Sequence, residues 1–280
     1  MYIIMYGSKK IMVTSGSYKF QIIDNTLFSR DKTEIYSRSF TIECCINISI
    51  IYENNNPVDA SIPRLFSDPE CSCIRPLEKY GGAIIMIKTL LQYVYTKLPT
   101  LTHIKFDDKS NIECVTEEAA KVSIPLYYFS ILFNGQTWYE KYFNAKQQDE
   151  VRHQQYRTRV DDFLYSSKFK TNLCFDKFVS LFDKREEEMT ELYQYYNNAN
   201  NFNDFFQAMP KQHRFRLVGS WIEQFMKFIL KDVFYNENWI IHFPFEMSKI
   251  NNKMRKYYCP KGIITNKFQS KNICVYLEDI

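Results

Sequence analysis

The stretch Glu78-Lys79-Tyr80-Gly81-Gly82-Ala83, running directly into Ile84-Ile85-Met86-Ile87-Lys88-Thr89-Leu90-Leu91, decides how this chain is read. Adjacent glycines let a backbone turn through positive φ or come close to a ligand. The run behind them is periodic and stops before Pro99, so the glycines stand where a helix begins. A helix N-terminus presents unpaired N–H groups and about half a positive charge, the two ingredients of an anion site. Two readings of the pair stay open on this stretch alone: a cradle for a phosphate, or a tight turn from strand to helix.

The periodicity predicts a helix over residues 83–98. Ile84, Ile87, Leu91, Val94 and Leu98 share one face, and Lys88, Gln92 and Lys97 fill the opposite side. Ile85, Met86 and Leu90 widen the apolar face, which predicts packing against a sheet. Before the glycines the chain reads as strands. Residues 17–24 alternate apolar and polar side chains, and 34–52 are long enough for one strand or a hairpin. Glu53-Asn54-Asn55-Asn56-Pro57 is a turn. Residues 60–66 follow as a short strand, at an edge or bulged at Pro63. After the helix, Thr102–Phe106 is a strand ending in Asp107-Asp108. Parallel strands joined through a helix bind ligands at their carboxyl ends. Ser123 is read as a helix cap with Pro125 in the first turn and a stop at Asn134-Gly135. Thr137-x-x-Glu140 is a capping box for a short helix bearing Tyr139.

The pattern Gln/Arg-x-x-Gly-x-Gly/Ala at the head of a long helix resembles the acetyl-CoA pyrophosphate loop of the GNAT N-acetyltransferase superfamily, with Glu78, Gly81 and Ala83 on its three defining positions. Tyr139-Glu140-Lys141-Tyr142-Phe143 is similar to that family's Tyr-Glu-x-x-Gly-Phe element. The chain departs from the family in having Glu at the first loop position and no glycine before Phe143. The likeness covers about residues 18–146. It implies a GNAT-like α/β core with a mixed sheet, and acetyl transfer from acetyl-CoA, as cosubstrate, to an amine. It also implies that backbone groups of Gly81, Gly82, Ala83 and Ile84 hold the pyrophosphate and that Tyr139 protonates the departing thiolate. For the amine's proton, Glu70, Glu113 and Asp107 are candidate acceptors. The competing reading of Tyr139 is packing, since the chain has 21 tyrosines. The competing reading of the whole is a catalytically inactive GNAT-like scaffold acting through a protein partner.

Composition narrows the classes. Apolar residues at 45% and charged residues at 24% are ordinary for a globular protein, while aromatics at 17% are high. The abundance of Ile, Asn, Lys and Tyr reads as the codon bias of an A/T-rich genome. With Phe106-Asp107-Asp108-Lys109-Ser110 and Thr137-Trp138-Tyr139-Glu140-Lys141, it resembles proteins of large nucleocytoplasmic DNA viruses, which implies the host cytoplasm or the virion. A net charge of +4 without a Lys/Arg block argues against nucleic acid as a partner. No run approaches the ~18 apolar residues of a membrane span, so a soluble, intracellular protein is expected. The eight cysteines lack Cys-x-x-Cys spacing and the four histidines are scattered, so no metal site is expected and the thiols read as structural, reduced and partly buried.

Patterning changes near residue 147, which predicts a core over 1–146 and a mainly helical extension over 147–280 packed on it. Expected helices cover 147–165, 176–196, and a segment after Pro210 whose buried stripe is Leu217, Trp221, Phe225, Phe228 and Ile229. Asn197–Asn201 is a linker. Short strands are expected at 239–243, 257–258 and 273–277.

Overall fold

Contacts divide the chain inside one strand, between Ile104 and Lys105. One unit takes the residues up to Ile104 and resumes at His242; the other takes Lys105–Ile241. The computed structural model describes residues 9–15, 18–24, 32–38, 46–54, 56–65, 82–115, 121–181, 186–236 and 238–244. The architecture is mixed α/β.

Five strands open the first unit: β1 (Lys9–Ser15), β2 (Tyr18–Asp24), β3 (Lys32–Arg38), β4 (Ile46–Glu53) and β5 (Asn56–Leu65). Each pairs antiparallel with the next, so 34–52 is a hairpin rather than one long strand. Ile46, Ile48 and Ile50 are buried on one face of β4, the period-two signature of a strand with a core side. Asn54, at φ 50°, turns the chain into β5 where the Asn-rich segment predicts. Asn47 faces Arg64 and Ser49 faces Ser61, so Ile62 and Pro63 together oppose Ile48. This is a bulge, and Pro63 fits it because the ladder is already interrupted where proline has no N–H to give. The edge alternative falls away: β5 lies between β4 and β6 (His103–Phe106) in the sheet order.

Helix α1 (Gly82–Lys97) packs on β2 and β3. Ile84, Ile87, Leu91 and Val94 are buried as expected, joined by Met86 and Leu90. Lys88 departs from expectation. It is buried, and burial lowers its pKa. Its position one turn after Ile84 falls inside a face that has widened beyond a single stripe. Asp24, only 1% exposed, accepts hydrogen bonds from the Tyr93 hydroxyl at 2.5 Å and from the Lys97 ammonium. The contact locks the last two turns of α1 to the end of β2.

The second unit begins with a hairpin that patterning did not reveal, β7 (Asn111–Val115) with β8 (Lys121–Pro125). Ser123 lies within β8 and caps nothing; α2 (Leu126–Asn134) starts after Pro125 without a side-chain cap. Gly135 ends it at φ 71°, where a side chain would be strained and would press on the Tyr165 hydroxyl. Then come α3 (Trp138–Phe143), β9 (Lys146–Gln147), α4 (Glu150–Tyr165), α5 (Ser167–Asn172), α6 (Phe175–Val179), α7 (Glu186–Asn197), α8 (Phe202–Ala208), a 3-10 turn (Lys211–His213), α9 (Arg214–Val218), α10 (Ile222–Leu230) and β10 (Trp239–His242). The single helix expected over 176–196 is instead α6 and α7. Phe228 is 48% exposed rather than buried. A break at Gly219–Trp221 resets the helical phase, so α10 buries Ile222, Phe225, Met226, Ile229 and Leu230. Gly219 is required there, because a Cβ would fall 2.7 Å from the Phe215 carbonyl.

The core of this unit is aromatic. Phe178 meets Trp221 and Phe225 edge-on at 5.2 Å each, and Phe205 edge-on at 5.6 Å. Edge-to-face contact places a positive ring edge on a negative face, adding to the area buried. The strands expected at 257–258 and 273–277 lie outside the described residues.

Removing the carboxylate of Asp24 should expose how far α1 depends on it. Asp24→Ala leaves the Tyr93 hydroxyl and Lys97 ammonium without this acceptor, an expected loss of roughly 2–4 kcal/mol. Urea unfolding of the variant against wild type measures it. Asp24→Asn, which keeps one acceptor oxygen, should lose less.

Candidate functional site

Helix α3 is six residues long and holds its place by its cap. The Thr137 side chain accepts from the Glu140 N–H at 3.1 Å, and the Thr137 N–H donates to Glu140 Oε2 at 2.7 Å. The capping box read from Thr137-x-x-Glu140 is therefore formed. The same carboxylate oxygen accepts from the Tyr156 hydroxyl at 2.8 Å, and Arg157 approaches Oε1 at 3.3 Å while also donating to the Gly135 carbonyl at 2.7 Å. Burial pushes the Glu140 carboxyl up, opposed by the Thr137 N–H, the Arg157 charge and the Tyr156 hydroxyl.

Tyr139 follows from that anchor. It is 6% exposed, with its ring 4.5 Å from Phe106, 5.0 Å from Trp138 and 6.1 Å from Phe143. Burial pushes its phenol well up, and the charge of Asp108 adds to the effect. The group keeps its proton at neutral pH. Asp108 stands just past the end of β6 and is 2% exposed. Its N–H donates to the Asn236 carbonyl at 2.6 Å; its Oδ1 accepts from the Ser110 N–H at 3.2 Å and from the Ser110 hydroxyl. Burial pushes the carboxyl up to about 6 against the pull of both Ser110 bonds. The Tyr127 phenol is pushed up to about 12, by burial first and then by Asp108 and Glu223. A carboxyl that titrates near neutrality beside phenols that hold their protons can accept or relay a proton, the pairing from which acid–base sites are made.

The residues singled out in the sequence fall as follows. Gly82 is the first residue of α1, Ala83 the second, and Ile84 is buried in the first unit; the first turn carries no acidic residue. Gly81 and Glu78 lie outside the described residues, as does Glu70. Tyr139 belongs to the second unit. Asp107 is exposed and pairs with Lys109 at 3.1 Å, so of the two aspartates the second is the buried one. Sequence reasoning passed over Asp108, although Asp108-Lys109-Ser110 after a strand has the spacing of a turn in which a side chain accepts from the N–H two residues on. His153, one of four scattered histidines, likewise has no spacing that singles it out. Burial, then the Arg157 and Lys146 charges, push it down to about 4, and its Nδ1 accepts the Gln147 N–H at 3.4 Å. Cys174 is a free and exposed thiol. Among the described residues no group of three His, Cys, Asp or Glu could hold a metal ion, and no helix is long and apolar enough to cross a membrane.

The raised pKa of Asp108 makes stability depend on pH with a definite sign. Between about pH 4 and 6 the native state binds the proton that the unfolded chain has released, so the Asp108 contribution falls as pH rises through this window. Asp108→Asn keeps an oxygen for both Ser110 bonds and removes the charge. Relative to wild type it should gain up to about 3 kcal/mol at pH 8 compared with pH 4, about two pKa units at 1.4 kcal/mol each. Chemical denaturation at the two pH values checks the slope.

Comparison with known proteins adds no relative to this geometry: no family model, no curated protein and no solved structure matches the chain.

Proposed function

We propose that the chain is an N-acetyltransferase-like protein of GNAT type that transfers an acetyl group from acetyl-CoA to an amine, in the setting of a large DNA virus. The observation that carries the reading is the bulge in β5 taken with helix α1, whose first residue is Gly82 and whose first turn has no carboxylate. A splayed or bulged strand before a glycine-headed helix is what such a core requires, and a first turn without acidic side chains suits an anion. The adjacency of β5 and β6 and the β9–β10 pair after the Tyr139 helix add to this support.

In this reading backbone N–H groups of Gly81, Gly82, Ala83 and Ile84 would bind the pyrophosphate. Bound acetyl-CoA supplies a thioester whose C–S bond breaks as the amine nitrogen forms the new C–N bond. Tyr139, kept protonated by burial, gives its proton to the sulfur. The proton lost by the amine goes to a carboxylate or through water, and Asp108 is the titrating group beside Tyr139.

A scaffold without catalysis, serving in the host cytoplasm or virion through a protein partner, is the second reading. The observation that favours it is the 6% exposure of Tyr139 among three aromatic neighbours.

Acetyl-CoA titration followed by thermal unfolding separates the two. At 100 times its dissociation constant a native-state ligand adds about 2.7 kcal/mol, so wild type should melt several degrees higher. Gly82→Val should lose the shift by blocking the backbone's approach. Glu78→Gln should keep or enlarge it, because two unit charges 4 Å apart repel by roughly 4 kcal/mol at an effective dielectric of 20. No shift for any of the three at millimolar acetyl-CoA would favour the scaffold.

A further inference from the structure

Gln147, in β9, is 3% exposed, and neither its side-chain oxygen nor its nitrogen has a hydrogen-bond partner among the described residues. Buried amides are ordinarily paired, and one left with both ends open invites an explanation. The neighbours do not supply the missing bonds. Gln147 faces Trp239 across the β9–β10 pair, so the two side chains leave the same face. The Trp239 N–H is already committed to the Tyr235 carbonyl at 3.0 Å. Its indole stands edge-on to His153 and Tyr156, both 6.1 Å away between ring centres. His153 takes the Gln147 N–H on Nδ1 and is neutral, which leaves its proton on Nε2, a further donor beside the same indole. Gln148, Asp149 and Glu150, which follow it in the chain, are exposed.

The chemistry of the two open ends selects the ligand. An ammonium would satisfy the oxygen and repel the NH2 group; a carboxylate would do the reverse. A group holding an N–H and a carbonyl on the same edge meets both ends in a closed pair of hydrogen bonds. Primary carboxamides and lactams have that edge, whereas an ordinary trans secondary amide turns its N–H away from its oxygen.

We propose that Gln147, backed by Trp239 and His153, is a binding site for a small planar ligand with a carboxamide or lactam edge. The unpaired amide is kept for recognition at some expense of stability, as functional polar groups commonly are. This inference does not depend on the acetyl-transfer reading.

The test uses the full chain, with acetamide and 2-pyrrolidinone as probes and N-methylacetamide as the control of wrong geometry. Without ligand, Gln147→Leu should melt above wild type by roughly 2–4 °C, the shift of about 1 kcal/mol in a chain of this size. Acetamide or pyrrolidinone should raise the wild-type midpoint relative to N-methylacetamide, the larger response telling carboxamide from lactam, and neither should do so in the variant. Gln147→Met is the second variant should Leu disrupt the strand. Melting of both variants below wild type in plain buffer would mean that the amide is structurally satisfied, and would overturn the proposal. So would equal responses of wild type and variants to the three amides.

Discussion

The second unit is organised around one buried carboxylate, Glu140. It closes the cap of α3, receives the Tyr156 hydroxyl and draws in Arg157 of α4. Six residues are too few to hold a helix in water, since nucleation costs more than so short a run of bonds returns. What keeps α3 in place is this anchor. Tyr139 precedes Glu140 in the chain and inherits its position; the Tyr139 carbonyl in turn accepts the Ala145 N–H at 3.3 Å, leading the chain into β9 and Gln147. A carboxylate so enclosed would be costly if any partner were removed, because its charge would stay buried without compensation. The position of Tyr139 therefore depends on the neighbouring Glu140, which holds the helix through its cap.

Around that polar knot the interior is built from rings. Phe163, Phe178, Phe202, Phe205, Phe206, Trp221 and Phe225 are essentially inaccessible, and they belong to helices α4, α6, α8 and α10 with the turn before α10. Packing decides how these aromatic residues are used. Arg214 shows how such a core accommodates charge. Its guanidinium lies 4.4 Å from the Phe133 ring centre and donates to the Met209 carbonyl and to Gln207. Among the described residues neutral oxygens and a ring face meet it and no carboxylate does, and burial lowers its pKa.

Asp108 and Gln147 are exceptions of a different kind. Asp108 is pinned through one oxygen by Ser110 and still titrates near neutrality, because two hydrogen bonds do not offset its removal from water. The Gln147 side-chain amide has no hydrogen-bond partner among the described residues. In the first unit Asp24 shows the opposite outcome, a carboxylate equally buried but met by a hydroxyl and an ammonium. At equal burial, the difference lies in the partners that meet each polar group.

Much of the architecture was legible because it is local. The β4–β5 turn, an irregularity at Pro63, the start of α1 near Gly82, the capping box of α3 and the stop at Gly135 all follow from conformational preferences that act over three or four residues. The hairpin of β7 and β8, the break of the expected 176–196 helix and the exposure of Phe228 were not legible. In each, pairing or a phase reset outweighs a propensity that the chain expresses only weakly. The candidate site divides the same way. The chain by itself determined that Thr137 and Glu140 cap a helix and that Tyr139 rides on it, since a cap is made within one turn. Only the tertiary structure decided that Asp108 rather than Asp107 is enclosed near Tyr139, that Lys88 is buried, and that Gln147 faces Trp239. Burial and electrostatic coupling join residues from distant parts of the chain, and no local spacing records which of two neighbouring side chains will be turned inward.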